Sequence, residues 1–166
     1  MRTKLITFLV VCSLLLVGTY LLTRPSYPEL HDGLQFQRIN GAQQTLSEIR
    51  GKPLMVVFWS PSCVICMQEV NQLNQLYRDF QGGHHFQLLA ISMPYDRPDQ
   101  VIQTSTRMGM NYPVYFDLKK EISRAFGNIV ATPTLFLLNS QGKISYRHSG
   151  RSDFELIGKK LKKLIG

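Results

Sequence analysis

The sequence predicts an α/β domain with a mixed central β-sheet flanked by helices, preceded by an N-terminal transmembrane helix. Three observations carry that expectation. Beyond Leu34, short apolar runs of strand character alternate with segments of helical period, and the chain closes with a hairpin and an amphipathic helix. Ahead of these, Leu5 to Leu22 is an apolar stretch without a charge, close to the roughly 20 residues that cross a bilayer. With 166 residues, 44% of them apolar, the chain has material for one compact domain and little else.

The first segment reads as an address. Arg2, Lys4 and the α-amino group precede the apolar run and only Arg24 follows it closely, so the positive-inside bias keeps the N-terminus in the cytoplasm and exports the rest. No A-x-A-like cleavage site follows, which favours an uncleaved signal anchor over residues 1–24. Residues 25–33, with Pro25, Pro28 and Gly33, read as a linker, and residues 34–166 as the folded domain. The expected location is the inner (cytoplasmic) membrane, single-pass, with the domain facing the periplasm or cell exterior. Cys12 lies inside the run as a small apolar residue.

Within the domain, Leu34, Phe36 and Arg38-Ile39 alternate as in a half-buried strand, and Asn40-Gly41 signals a turn. Pro53 to Trp59 is a continuous apolar run, expected of a central strand covered on both faces. Ser62 is positioned to cap a helix starting at Cys63, along which Val70, Leu73, Tyr77 and Phe80 recur at helical spacing. Gly82-Gly83 ends it. Phe86 to Met93 predicts a second buried strand, Gln100 to Met108 a helix, Tyr112 to Phe116 a short strand, and Glu121 to Phe126 a short helix closed by Gly127. Thr134 to Leu138 and Lys143 to His148 form a hairpin around Asn139-Ser140-Gln141-Gly142. Ser152-x-x-Glu155 reads as a capping box opening a last helix with Phe154, Ile157, Leu161 and Leu164 inward.

Charge excludes more than it suggests. The net charge is +8, but neither of two basic groups, Arg2, Lys4 and Arg24 beside the anchor or Lys159, Lys160, Lys162 and Lys163 near the C-terminus, forms a stripe interleaved with the aromatics of a nucleic-acid surface. The terminal lysines fall where cations complement a helix dipole.

Three cysteines are too few for a disulfide-stapled fold. The close pair Cys63-Val64-Ile65-Cys66 is a redox couple or half of a metal site. A structural zinc site would want a second ligand pair at matching spacing, which is absent. At a strand–helix junction, Cys63 falls where unpaired backbone N–H groups and the helix dipole favour a thiolate, the attacking species in disulfide exchange. Cys66, one turn deeper, can resolve the mixed disulfide. Glu69 leans toward the packed face of the same helix, where a carboxylate can take or give a proton during exchange.

Phe58-Trp59-Ser60-Pro61-Ser62-Cys63-Val64-Ile65-Cys66 resembles the active-site stretch of the thioredoxin superfamily. The following Met67-Gln68-Glu69 makes it similar to the membrane-anchored TlpA/ResA-like branch, whose motif runs C-x-x-C-x-x-E. Leu46 to Lys52, Tyr112-Pro113-Val114 and Ala131-Thr132-Pro133-Thr134-Leu135-Phe136 extend the likeness over nearly the whole exported domain. The resemblance implies a thioredoxin-like fold and a thiol–disulfide oxidoreductase acting on disulfides of exported proteins, reduced in turn by a membrane electron donor, without a cofactor. It implies Cys63, Cys66 and Glu69 as the catalytic residues. It further implies a cis Pro133 facing the pair, Thr132 and Pro133 as the substrate platform, and Trp59 as an aromatic wall.

Departures matter too. Val57 stands where cytosolic thioredoxins carry an acid, and the apolar Val64-Ile65 supplies no side-chain donor to the sulfur, which argues against a strong oxidant. The Gly-rich, acidic signature of cytochrome-maturation relatives is missing before Pro133. Two other classes compete. Cys63 and Cys66 with Met67 could hold Cu(I) in a metallochaperone-like module, although His148 is the sole late histidine and His31, His84 and His85 look like loop residues. A thiol peroxidase would carry P-x-x-x-T-x-x-C, which is absent.

Overall fold

The computed structural model describes residues 12–19, 27–81 and 86–166. Residues 12–19 are helical, but the greater part of the expected anchor, and the Gly82-Gly83 helix stop, lie outside the described residues. Among the described residues no helix is long and apolar enough to cross a membrane.

The domain is α/β with a mixed sheet, as the alternation predicts. Its strands are β1 (Gln35–Arg38), β2 (Gln43–Thr45), β3 (Leu54–Trp59), β4 (Gln87–Ser92), β5 (Val114–Phe116), β6 (Thr134–Leu138) and β7 (Ile144–Ser149). Its helices are α1 (Leu46–Ile49), α2 (Val64–Gln81), α3 (Pro98–Arg107), α4 (Glu121–Ala125) and α5 (Phe154–Ile165). The sheet runs in the order β2-β1-β5-β4-β3-β6-β7. β3 is parallel to β4 and β4 to β5, whereas β6 runs antiparallel to β3.

The continuous apolar run becomes β3, buried at every position. Its period-2 alternation feeds two cores. Leu54, Val56 and Phe58 join Leu46, Ile49, Ile122 and Phe126 on one face. Met55, Val57 and Trp59 join Leu73, Val101, Ile157 and Leu161 on the other. On the first face, Phe58, Phe126 and Phe136 pack edge-to-face with centroids 4.9 to 6.0 Å apart, the arrangement ring quadrupoles favour. Tyr27 and Leu30, within the segment expected as linker, pack against that core.

Several local expectations need correction. β2 and α1 add to the elements that the sequence predicts, since Gln43-Gln44-Thr45 lacks apolar alternation and α1 is a single turn. Its signal was nonetheless present. Thr45 opens a capping box in which the Glu48 carboxylate accepts the Thr45 N–H at 2.6 Å. The third helix begins at Pro98 rather than Gln100, since proline's missing N–H costs nothing in the first turn. The last helix is capped not by Ser152 but by Asp153, whose carboxylate accepts the Leu156 N–H at 2.9 Å. That releases Ser152 for another partner.

Phe136 is fully buried at the centre of the aromatic cluster. Phe136→Ala is expected to cost about 3–5 kcal/mol in urea denaturation. A loss under about 1 kcal/mol would show that this face of the sheet is not the packed core described.

Candidate active site

Strand register assembles the site. Trp59, the last residue of β3, is level with Ser92, the last of the parallel β4. Phe58 is level with Thr134, the first residue of the antiparallel β6, which is itself level with Ser149 at the end of β7. The turn after β3, the turn after β4, the loop before β6 and the segment after β7 therefore emerge at one edge. In open α/β sheets the carboxyl ends of the parallel strands are where ligands bind.

Cys63 and Cys66 meet there as a disulfide with Cα atoms 5.2 Å apart. The helix starts one residue later than the sequence suggests, and Ser62 does not cap it. Its hydroxyl lies 2.9 Å from that of Ser60. Cys63 itself occupies the position ahead of α2, with its carbonyl accepting the Met67 N–H at 3.1 Å and its Sγ accepting the Cys66 N–H at 3.1 Å. The sulfur thus takes one of the orphan donors of the first turn. Cys63 is half-buried and Cys66 is buried, so the pair has an outer and an inner member.

Glu69 is 2% exposed. Its Oε1 accepts the Ser152 N–H at 2.6 Å and its Oε2 the Ser152 hydroxyl at 3.1 Å. Beside this contact, Arg151 donates to the Gln68 amide oxygen at 2.6 Å, and the Arg151 carbonyl lies 2.8 Å from His148 Nε2. A narrow cavity is walled by Trp59, Cys66, Glu69, Tyr112 and Pro133, bringing the inner cysteine, the carboxylate and the proline loop together. Trp59 is buried on the inner side of the pair. Burial, with Glu69 nearby, drives the Tyr112 phenol far above its usual range, so that it stays protonated.

The Thr132–Pro133 peptide is cis, as the resemblance implied. Its loop is pinned on both sides. The Gly150 N–H donates to the Pro133 carbonyl at 2.9 Å, and the Thr134 hydroxyl donates to Ala131 O at 2.8 Å. Thr132 is half-buried.

Sequence reasoning missed four residues here. The sequence offers Ser152 as a helix cap, and Tyr112 as the start of a strand and of the Tyr112-Pro113-Val114 match, with no role at the site for either. Tyr95 and Asp96 were not singled out, although Pro94-Tyr95-Asp96 is a recognisable turn tripeptide. The Asp96 carboxylate accepts the Met93 N–H at 2.9 Å and, across the site, the Ser60 hydroxyl at 2.6 Å. Burial raises the Asp96 carboxyl above its ordinary 3.8, opposed by those two hydrogen bonds. The Tyr95 phenol lies beside the Thr132 and Ser60 hydroxyls, and burial together with the Asp96 charge pushes it upward. Among the described residues no group of three or more His, Cys, Asp or Glu side chains could hold a metal ion.

A family model described as the AhpC/TSA family matches residues 31–147. The thiol-disulfide oxidoreductase ResA of Geobacillus thermodenitrificans is 27% identical over 106 residues, covering 64% of this chain and 59% of the relative. The chain therefore spans less than two thirds of that relative. The ResA of Geobacillus kaustophilus is 25% identical over 126 residues, covering 76% of this chain and 71% of the relative. A thiol:disulfide interchange protein of the thioredoxin family from Chlorobium tepidum superposes with a TM-score of 0.72 at 21% identity, over 86% of this chain and 99% of that one. That likeness is one of fold.

The Asp96 site makes a pH prediction. Because the folded state holds this proton more tightly than the unfolded chain, its ionisation removes stability as pH rises from 3.8 through the raised native value. Asp96→Asn is expected to flatten that descending limb in urea denaturation as the pH is raised above about 4. Equal slopes in the two proteins would refute the assignment.

Proposed function

This chain belongs to the AhpC/TSA family, and from that membership and the Cys63–Cys66 disulfide we propose that it is an extracytoplasmic thiol–disulfide oxidoreductase of the TlpA/ResA-like kind. In this reading it reduces or isomerises disulfides in exported proteins. The observation that carries it is a disulfide with a half-exposed outer sulfur at a helix start and a buried inner sulfur sharing a cavity with Glu69.

In the reduced enzyme the Cys63 thiolate attacks a substrate disulfide. A Cys63–substrate bond forms, the substrate S–S bond breaks, and one substrate thiolate leaves. Cys66 then gives its proton to the Glu69 carboxylate and attacks Cys63 Sγ, forming the Cys63–Cys66 disulfide and releasing the second substrate thiolate. Two electrons have passed to the substrate, whose thiolates take up protons as they depart. A membrane dithiol donor returns two electrons to the pair by the same exchange in reverse. Thr132 and Pro133 form the platform for the substrate chain, and Trp59 backs the pair.

The apolar Val64-Ile65 between the cysteines leaves the Cys66 N–H as the sulfur's donor from this turn. This modest support for a thiolate favours a reductase over a strong oxidant. Residues 1–24 act in this reading as an uncleaved anchor in the inner membrane, residues 25–33 as the linker, and residues 34–166 as the domain presented to the periplasm or cell exterior. The uncharged run from Leu5 to Leu22, with Arg2 and Lys4 ahead of it, supports that orientation.

Cys66→Ser should accumulate mixed disulfides through Cys63, visible on non-reducing gels of membranes. Their absence would end the exchange reading. Glu69→Gln is expected to slow resolution by about 100-fold, as loss of a proton acceptor does, while first-step capture of substrate persists. The reduction potential of the couple in a thiol redox buffer is expected near about −270 mV, and a value near about −120 mV would mark an oxidant instead.

A further inference from the structure

Between β7 and α5 the segment Gly150-Arg151-Ser152 is bonded to both halves of the site. The Gly150 N–H donates to the Pro133 carbonyl at 2.9 Å, and the Arg151 side chain donates to the Gln68 amide oxygen at 2.6 Å. Because Asp153 caps α5, the N–H and the hydroxyl of Ser152 are left to Glu69. The N–H donates to Oε1 at 2.6 Å and the hydroxyl to Oε2 at 3.1 Å. Among the described residues, both hydrogen bonds of the Glu69 side chain come from this one residue.

The two bonds differ in kind. A backbone N–H only donates, so Oε1 is held as an acceptor whatever the charge of the carboxyl group. A hydroxyl has one proton and two lone pairs, and it turns about its C–O bond. It donates to Oε2 when Glu69 is ionised and accepts from Oε2 when Glu69 carries a proton. Without it, a proton on Oε2 would be a buried donor left unpaired, at a cost in free energy. The other groups around the carboxylate do not offer this reversal. The Tyr112 phenol ahead of β5 feels the Glu69 charge and keeps its own proton. The Arg151 guanidinium turns to Gln68, and the Asp153 carboxylate to the Leu156 N–H. β3 and β4 line the cavity with Val57, Trp59 and Ala90, which carry no charge, and Cys66 is the group whose proton is to be moved.

We propose that Ser152 is a positioning residue for the exchange, its N–H fixing Oε1 of Glu69 and its hydroxyl reversing direction as Oε2 takes and returns the Cys66 proton. The inference deepens the disulfide-exchange reading and rests on it. In the resolving step the Cys66 S–H bond breaks and an Oε2–H bond forms, while the sulfur keeps the electron pair with which it attacks Cys63. When the dithiol donor reduces the pair, Cys66 leaves as a thiolate and takes that proton back. The hydroxyl is paired in both charge states, and more strongly in the ionised one, since hydrogen bonds to charged groups are the stronger.

The test is the pH profile of the resolving step. The full chain, reduced and in detergent, is mixed in stopped flow with one equivalent of dithiobis(nitrobenzoate), whose thiolate product absorbs visible light. The first thiolate released reports attack by Cys63, and the second reports attack by Cys66. The second rate should fall as pH falls through the Glu69 midpoint, because only the ionised carboxylate accepts the proton. Ser152→Ala keeps the N–H and loses the hydroxyl, which weakens the ionised form more than the neutral one. Its midpoint should move up by about one pH unit, a tenfold change in proton affinity, and Ser152→Thr should restore it. A purely structural role would lower the rate and leave the midpoint in place. An unmoved midpoint in Ser152→Ala, or a shift that persists in Ser152→Thr, overturns the proposal. Should Ser152→Ala not fold, Ser152→Gly, which also keeps only the N–H, is judged by the same midpoint. Glu69→Gln should lack the acid limb. If the limb survives there, Glu69 is not the acceptor and the proposal falls while exchange through the cysteines stands. Release of a single thiolate by the wild type would overturn the exchange reading itself.

Discussion

β3 is hydrogen-bonded along both edges and buried on both faces, and the placement of every candidate site residue follows from that constraint. A strand held this way cannot slide by one residue without sending Met55, Val57 and Trp59 into the opposite core. Its end is therefore fixed relative to the ends of β4 and β6. The cysteine turn, the Tyr95 turn and the proline loop are consequently neighbours although they are distant in the chain. A site built at the end of such a strand inherits the rigidity of the core beneath it, which exchange geometry requires.

The buried carboxylate of Glu69 is the second organising interaction. Removing a carboxylate from water is costly unless donors replace the lost hydration. Both donors come from one residue, Ser152, through its N–H and its hydroxyl. The same contact ties α2, which carries the cysteines, to the start of α5. Gln68 and Arg151 repeat that tie in more exposed surroundings, where such a bond is worth less. The inner half of the site is thus buried and polar at one point.

Much of the fold was legible because the strongest signals were burial signals. β3, β4 and β6 appeared as apolar runs, and the inward faces of α2 and α5 appeared at helical spacing. The weak elements were those with little apolar pattern to show. β2 is three polar residues, and α1 is one turn marked locally by its capping box, Thr45 to Glu48. The caps of α2 and α5 were each misplaced by one residue because Ser, Asp and Cys can all take the first orphan donors. Geometry, not residue type, decides among them. The error at α5 concealed Ser152, which became a partner of Glu69 once Asp153 took the cap.

The sequence by itself determined the chemistry: a close cysteine pair at a strand–helix junction, a carboxylate one turn beyond, and an X-Pro peptide ahead of a late strand. These are local patterns, set by spacing along one element or one turn. The tertiary structure decided how deeply each cysteine is buried, what holds Glu69, and that Asp96 meets Ser60 on the cysteine turn. Those facts depend on the register between strands remote in sequence. No local pattern encodes that register, which is set by how the two faces of the sheet fill their cores.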